Sequence, residues 1–383
     1  MKIFFLDQSG KLGGAELSLL DVAEAYGDRC QVGLFADGVF RAALEQRQIP
    51  TTVLIDQPLA IKRESGLLQS LSNASKLVPL INRTARISRH YDIVYTNTQK
   101  AFVVGAIASF LSRRPLVYHL RDILSLEHFS ASNIRILITL ANQFAKIVLC
   151  NSQATRDAFI AAGGRAELAV VVYNGFKPEQ YQNYPHTAAH LRQGLGFSDQ
   201  HFIIGHFSRL SPWKGQHVLI DALQHCPNHT VAILVGDALF GEEEYVAQLH
   251  QQVADLGLSD RVHFLGFRSD IPELMSACNL VVHASTSPEP FGRVIVEAML
   301  CGTPVVAAEA GGAVELVEHG KTGWLCPPSD VDKLADIINH CITQPNQVKA
   351  IAHHAQELAT QRFNLRHTNQ QIAELLEQLL TRQ

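Results

Sequence analysis

The sequence predicts an α/β protein of two doubly wound, Rossmann-like domains, each a parallel sheet with helices on both faces, facing a cleft. Three observations lead there. At 383 residues the chain is longer than one hydrophobic core usually serves. Short β-branched or aromatic runs alternate with helical patterns from end to end, the rhythm of βαβ units. A polar stretch near the middle separates two such series.

In order, the first series reads KIFFLD, QVGLFA, TTVLI, DIVYTN, LVYHLR, KIVLCN and LAVVVYN. These are near-continuous apolar runs of the kind buried on both faces of a parallel sheet. The second reads FIIGHFS, TVAILVGD, RVHFLGF, LVVHAS, PVVAAE and GWLCP, again with a helical segment after most members. Residues 174–190, NGFKPEQYQNYPHTAAH, carry two prolines and neither apolar period, which predicts a linker. The expected domains are therefore 1–180 and 181–363. Residues 364–383 place Ile372, Leu375, Leu376, Leu379 and Leu380 on one face, a terminal amphipathic helix expected to pack back toward the N-terminal domain.

With 47% apolar and 18% charged residues, wholesale disorder is excluded. The N-terminal MKIFFLDQSGKLGG is too short in apolar length for a signal peptide, and no stretch approaches a membrane span of about 20 apolar residues. Seven single cysteines without a CxxC pair read as buried thiols, so a cytoplasmic location is expected. Residues 1–180 hold 20 Lys+Arg against 15 Asp+Glu, and 181–383 hold 12 against 21. The excess concentrates in 57–118, where Lys62, Arg63, Lys76, Arg83, Arg86, Arg89, Lys100, Arg113 and Arg114 face only Glu64 and Asp92. A solvated helical face and a surface for anionic lipid or a phosphorylated acceptor are its two readings.

Chemistry is expected on the loops at the carboxyl edge of each sheet, where doubly wound folds bind ligands. SPEPFGRVIVEAM, residues 287–299, puts Glu289 on such a loop and starts a helix near Gly292. Free main-chain N–H groups at Gly292, Arg293 and Val294 favour phosphate there. Glu297 reads either as a ligand for a ribose diol or as an ordinary acid stabilised by the helix dipole. Upstream, Arg209 and Lys214 follow FIIGHFS as two cations able to neutralise a diphosphate. Gly236 and Asp237 end one strand; Gly266, Phe267 and Arg268 end another, and Phe267 reads equally as core. The pair Gly311-Gly312 allows close main-chain approach to sugar or phosphate. In the first half, Gly10, Gly13 and Gly14 join the first strand to a helix, but the spacing is not GxGxxG and no acid ends the second strand, which argues against a dinucleotide site. HExxH, GxSxG and Walker patterns are missing, and the adjacent His353 and His354 point apart on a helix.

The stretch EPFGRVIVEAMLCGTPVVAAEAGGAVELVEHGKTGWLCPPSD resembles the sugar-nucleotide half of the retaining GT-B glycosyltransferases of the glycosyl transferases group 1, or family 4, type. Its E-x7-E signature matches Glu289 and Glu297 without a gap, and the resemblance extends more loosely over 1–180. It implies that Glu289 and the adjacent main chain of Phe291 and Gly292 hold the donor sugar, Glu297 the ribose, and Arg209 and Lys214 the diphosphate. The main chain around Phe267 and Arg268 would receive the nucleobase edge, with Gly236 and Asp237 lining the same cleft. Gly13, Gly14 and Glu16 would lie against donor phosphate and acceptor. At the edge of the fifth strand His119 is the match for a residue aimed at the reaction centre, with Arg121 and Asp122 as alternatives. Ser152 and Asn174-Gly175 fall near the cleft or hinge, or serve as a cap and a turn.

The implied activity is transfer of a hexosyl unit from a nucleotide diphosphate sugar to an acceptor hydroxyl with retained configuration, without cofactor or metal. The implied acceptor is a saccharide or lipid-linked saccharide in cell-surface polysaccharide or glycolipid assembly, with peripheral contact to an anionic membrane and no nucleic acid. A nucleotide-sugar epimerase and a non-catalytic nucleotide-sugar-binding protein are the rival readings.

Overall fold

The computed structural model describes residues 1–55, 74–182, 184–239 and 241–381. The chain divides into two compact units: Met1–Gly175 with Leu365–Gln383, and Phe176–Asn364. Every run read as a strand forms one. In the first unit these are β1 (Ile3–Asp7), β2 (Cys30–Leu34), β3 (Thr51–Val53), β4 (Ile93–Thr96), β5 (Leu116–Leu120), β6 (Ala145–Cys150) and β7 (Ala169–Val171). They form one sheet in the order β3-β2-β1-β4-β5-β6-β7. All neighbours run parallel, and β1 is buried along its whole length, as a strand covered on both faces must be.

The second unit repeats the design with β8 (Phe202–Phe207), β9 (Thr230–Val235), β10 (Val262–Gly266), β11 (Leu280–His283), β12 (Val305–Ala308) and β13 (Trp324–Cys326). Its parallel order is β10-β9-β8-β11-β12-β13. In each sheet the direction of winding reverses once, between β1 and β4 and between β8 and β11. Such a reversal is where a doubly wound sheet presents its carboxyl-edge loops to a ligand.

One expectation is modified. The polar stretch 174–190 is not all linker, because a helix Pro185–Gly194 starts inside it with proline in its first turn, where the missing N–H costs nothing. The terminal helix, Leu365–Thr381, belongs to the first unit. Ile372 and Leu376 are fully buried there among Ile3, Phe5 and Val172, while Leu375, Leu379 and Leu380 are partly covered. Each of the two buried side chains contributes about 1.5–3 kcal/mol by burial. Six cysteines are buried and Cys301 is half-buried, all as free thiols. No helix among the described residues is long and apolar enough to cross a membrane.

Candidate active site

The reversal between β8 and β11 gathers the most charged chemistry of the second unit. After β8 the chain runs through Ser208 and Arg209 into a short turn, Pro212–Lys214, and then the helix Gln216–Leu223. Gly215 between them has φ +72°, and a Cβ there would lie 1.9 Å from the Ala284 carbonyl oxygen. The N–H of Thr286 donates to the Trp213 carbonyl at 2.8 Å. These two contacts pin the loop after β8 against the loop after β11. As a result Lys214 Nζ lies 2.6 Å from Glu289 Oε2, with the two side chains 16% and 13% exposed. The ammonium also sits 3.9 Å from the centre of the Trp213 ring.

Burial alone would raise the Glu289 pKa. The Lys214 charge and a hydrogen bond from His283 overcome it and hold the carboxyl well below the usual carboxylate range. His283 Nε2 is 3.2 Å from Glu289 Oε2, and Ser285 Oγ donates to the same oxygen at 3.3 Å. A second histidine supports the cation's loop. His206 Nε2 meets the Lys214 carbonyl at 3.0 Å, and burial pushes its pKa down to about 3, so the ring is neutral and Nε2 carries the proton it donates.

The paired glycines make room for neighbouring main chain. A Cβ on Gly311 would stand 2.4 Å from the Glu289 carbonyl oxygen, and one on Gly312 would stand 2.5 Å from that of Pro290. Glu289 and Gly311 form a parallel bridge, and the Gly312 N–H donates to the Glu289 carbonyl at 2.7 Å. The close approach is thus to the chain that carries Glu289. Because Gly311 also has φ +62°, Gly311→Ala should destabilise the second unit by roughly 1–3 kcal/mol, read as a lowered thermal midpoint. An unchanged midpoint would show that the bridge does not hold Glu289 in place.

Gly292, at φ +97°, opens the helix Arg293–Leu300, whose first N–H groups include Arg293 and Val294. Glu297 lies on this helix with Oε1 3.3 Å from Arg293 Nε, and the Arg293 guanidinium stands 4.5 Å from the centre of the Phe176 ring. Phe291 is buried, stacking on Phe176. Arg209 pairs with Glu242 at 3.1 Å, and Ser211 Oγ donates to the other oxygen of that carboxylate at 2.6 Å. Gly236 has φ +135°, packs against the Ser208 carbonyl and donates its N–H to Gly266 at 2.8 Å. Asp237 Oδ2 accepts the Phe267 N–H at 3.1 Å, so the ends of β8, β9 and β10 are tied together. Phe267 is 70% exposed, which removes the core reading. Arg268 pairs with Asp270.

In the first unit the reversal between β1 and β4 collects a buried acid pair. Asp7, at the end of β1, accepts from Asn97 Nδ2 at 2.8 Å, and Glu16 Oε2 accepts the Gly13 N–H at 3.0 Å, capping the helix Gly14–Glu24. Burial raises both carboxyls, and the Asp7 charge raises Glu16 further. Gly10 serves the chain itself, since a Cβ there would stand 2.2 Å from the Asp37 carbonyl oxygen. His119 is buried at the end of β5, with Nδ1 2.5 Å from Tyr95 Oη. Its Nε2 is buried without a hydrogen-bond partner among the described residues. Burial, then the Arg121 charge, holds the ring pKa well below the ordinary histidine value, so it is neutral. Arg121 instead spans Asn97 at 3.0 Å and Asn174 at 2.5 Å, and Asp122 accepts from Gln99 at 3.1 Å. Ser152 is a helix cap, accepting the Thr155 N–H at 3.0 Å. Of the basic stretch, Arg83, Arg86, Arg89 and Arg113 are exposed, while Lys62, Arg63 and Glu64 lie outside the described residues.

Among the described residues no group of three or more His, Cys, Asp or Glu could hold a metal ion. A model of the glycosyl transferases group 1 matches residues 188–358, and one of glycosyltransferase family 4 matches residues 12–180. HepE from Anabaena, crystallised with UDP and glucose, is 59% identical with a TM-score of 0.92, covering 98% of this chain and 99% of that one. The chain belongs to the glycosyl transferases group 1 family. Its two parallel-sheet domains are those of the GT-B fold.

Among curated members of the family, the GDP-mannose-dependent alpha-(1-6)-phosphatidylinositol monomannoside mannosyltransferase of Mycolicibacterium smegmatis is 29% identical, covering 61% of this chain and 62% of its own. The lipopolysaccharide core biosynthesis mannosyltransferase LpsB of Rhizobium meliloti is 32% identical, covering 57% and 63%. This chain thus spans 62% and 63% of the length of these two curated relatives. Within this GT-B chain, four side chains around the site escaped the sequence reading: His206, His283, Ser285 and Glu242. Three of them lie inside the runs FIIGHFS and LVVHAS, where a histidine amid apolar residues reads as strand filling.

Proposed function

We propose that this chain is a retaining hexosyltransferase that moves a sugar from a nucleoside diphosphate sugar, with UDP-glucose the first candidate, to an acceptor hydroxyl. The buried Lys214–Glu289 pair at the reversal of the second sheet carries the reading. It sets a cation for a diphosphate and an acid for sugar hydroxyls in direct contact. The 58% identity to HepE crystallised with UDP-glucose supports that donor.

In the proposed step the C1–O bond to the diphosphate breaks first, and Lys214 and Arg209 stabilise the charge that leaves with it. The acceptor oxygen bonds to C1 from the same face, and its proton passes to the departing phosphate oxygen. Glu289 orients the sugar and supports the positive charge on C1; it is not the nucleophile. The N–H groups at Gly292, Arg293 and Val294 face phosphate, Glu297 the ribose, and the main chain at Phe267 and Arg268 the base. On the first unit, Gly13, Gly14 and the unpartnered Nε2 of His119 are assigned to substrate. The side-chain cations take the place of a divalent ion. The acceptor is a saccharide or lipid-linked saccharide of a surface polymer or glycolipid, met through contact of the exposed arginines with anionic lipid.

The test is a thermal-shift screen of UDP, GDP and ADP sugars, followed by turnover with EDTA present and the anomeric coupling of the product. A sugar nucleotide at 100 times its Kd should stabilise by about 2.7 kcal/mol. UDP-glucose should lead, EDTA should not lower turnover, and the product should keep the donor's configuration. No stabilisation by any sugar nucleotide would sink the reading, and an inverted product would sink its stereochemistry.

A further inference from the structure

His283 lies at the end of β11 and is 5% exposed. Its two ring nitrogens have different partners. The main-chain N–H of Ala308, on the neighbouring strand β12, points at Nδ1 at 3.4 Å. An N–H needs an acceptor, so Nδ1 is bare and the ring proton is on Nε2. That proton faces Glu289 Oε2 at 3.2 Å and Ser285 Oγ at 3.1 Å. Serine and acid therefore meet the same nitrogen, which rules out a relay in which the base is held by an acid at one nitrogen and activates a serine at the other.

Three donors thus converge on one oxygen of Glu289: Lys214 Nζ, His283 Nε2 and Ser285 Oγ. Lys214 has a second duty, because a diphosphate would draw it away. We infer that His283 is a positioning residue that keeps Glu289 held by Oε2 when Lys214 turns to the donor diphosphate, leaving Oε1 for the donor sugar. This rests on the proposed function. His283 is built for it: it sits on a buried strand and its tautomer is set by a main-chain donor.

The experiment uses the full chain and titrates UDP and UDP-glucose by calorimetry into the unmodified protein, His283→Leu and His283→Gln. The glutamine amide can reach where Nε2 stood and can donate. His283→Leu should lose roughly 10- to 100-fold in UDP-glucose affinity, the worth of a hydrogen bond to a charged group. Its affinity for UDP, which lacks the sugar, should stay within about 3-fold, since that ligand makes no use of Glu289. His283→Gln should recover most of the loss. Leucine leaving UDP-glucose affinity intact, UDP affinity falling in parallel, or glutamine failing to recover binding would each overturn the inference while leaving the functional reading standing. An unmodified chain that binds neither ligand would overturn both.

Discussion

Glu289→Gln should lower kcat by about 10²–10³-fold, the loss found when one preorganised group for transition-state charge is removed. The substitution keeps the shape and deletes the charge, so a loss confined to turnover separates orientation from electrostatics. It should also cost stability, because Lys214 would remain largely buried without a counter-charge. Breaking such a pair costs about 3 kcal/mol at the lower end of the known range, fitting side chains that keep 16% and 13% exposure. The sign with pH follows from the depressed pKa of Glu289. The pair's contribution is present above the ordinary glutamate value of about 4.3 and disappears as pH falls through the depressed native value. The stability gap between wild type and Glu289→Gln should therefore be widest at neutral pH and narrow in acid. Equal turnover, or a gap that widens in acid, would contradict the assignment.

Lys214→Ala should be at least as damaging, because it removes the diphosphate's cation and unbalances Glu289 at once. With the ammonium gone, burial, the largest single influence on that carboxyl, meets only the hydrogen bonds from His283 and Ser285. The Glu289 pKa should rise. Turnover should fall roughly 10²–10³-fold, and the residual activity should climb with pH over a range where the wild type is already flat. A variant whose kcat/KM profile keeps its acid limb in place would show that Lys214 does not tune Glu289. Reduced donor affinity with unchanged kcat would show that the cation serves only binding.

The fold was legible because parallel strands buried on both faces leave dense apolar runs, as in IFFLD and TVAILV, that recur from end to end with helical segments between them. Glu289, Arg209 and Lys214 were legible because each follows the end of such a run on a loop, and Glu297 because of its E-x7-E spacing from Glu289. Their true pairings were harder to read. Lys214 and Glu289 lie 75 residues apart, and they meet because β8 and β11 are neighbours in the sheet. Arg209 meets Glu242 only because a loop returns, whereas Glu297 and Arg293 are an i,i+4 pair on one helix whose spacing the sequence already shows. Gly311 and Gly312 were legible only in part for a related reason. Glycine announces that something comes close but not what, and here it is the main chain of Glu289 and Pro290. His206 and His283 were hidden by their setting, since burial in a strand is the usual fate of a residue between valines, leucines or isoleucines.

The path of the chain has one more implication. The second unit is a single continuous segment whose ends are stitched to each other, Phe176 bridging Asn364 and its N–H bonding to the Phe363 carbonyl at 2.8 Å. It is a cassette spliced into its host, leaving and rejoining at one place. The last seventeen-residue helix, Leu365–Thr381, therefore completes the host rather than trailing from the cassette. Trimming the carboxyl terminus would open the amino-terminal core, while the cassette kept every strand it needs.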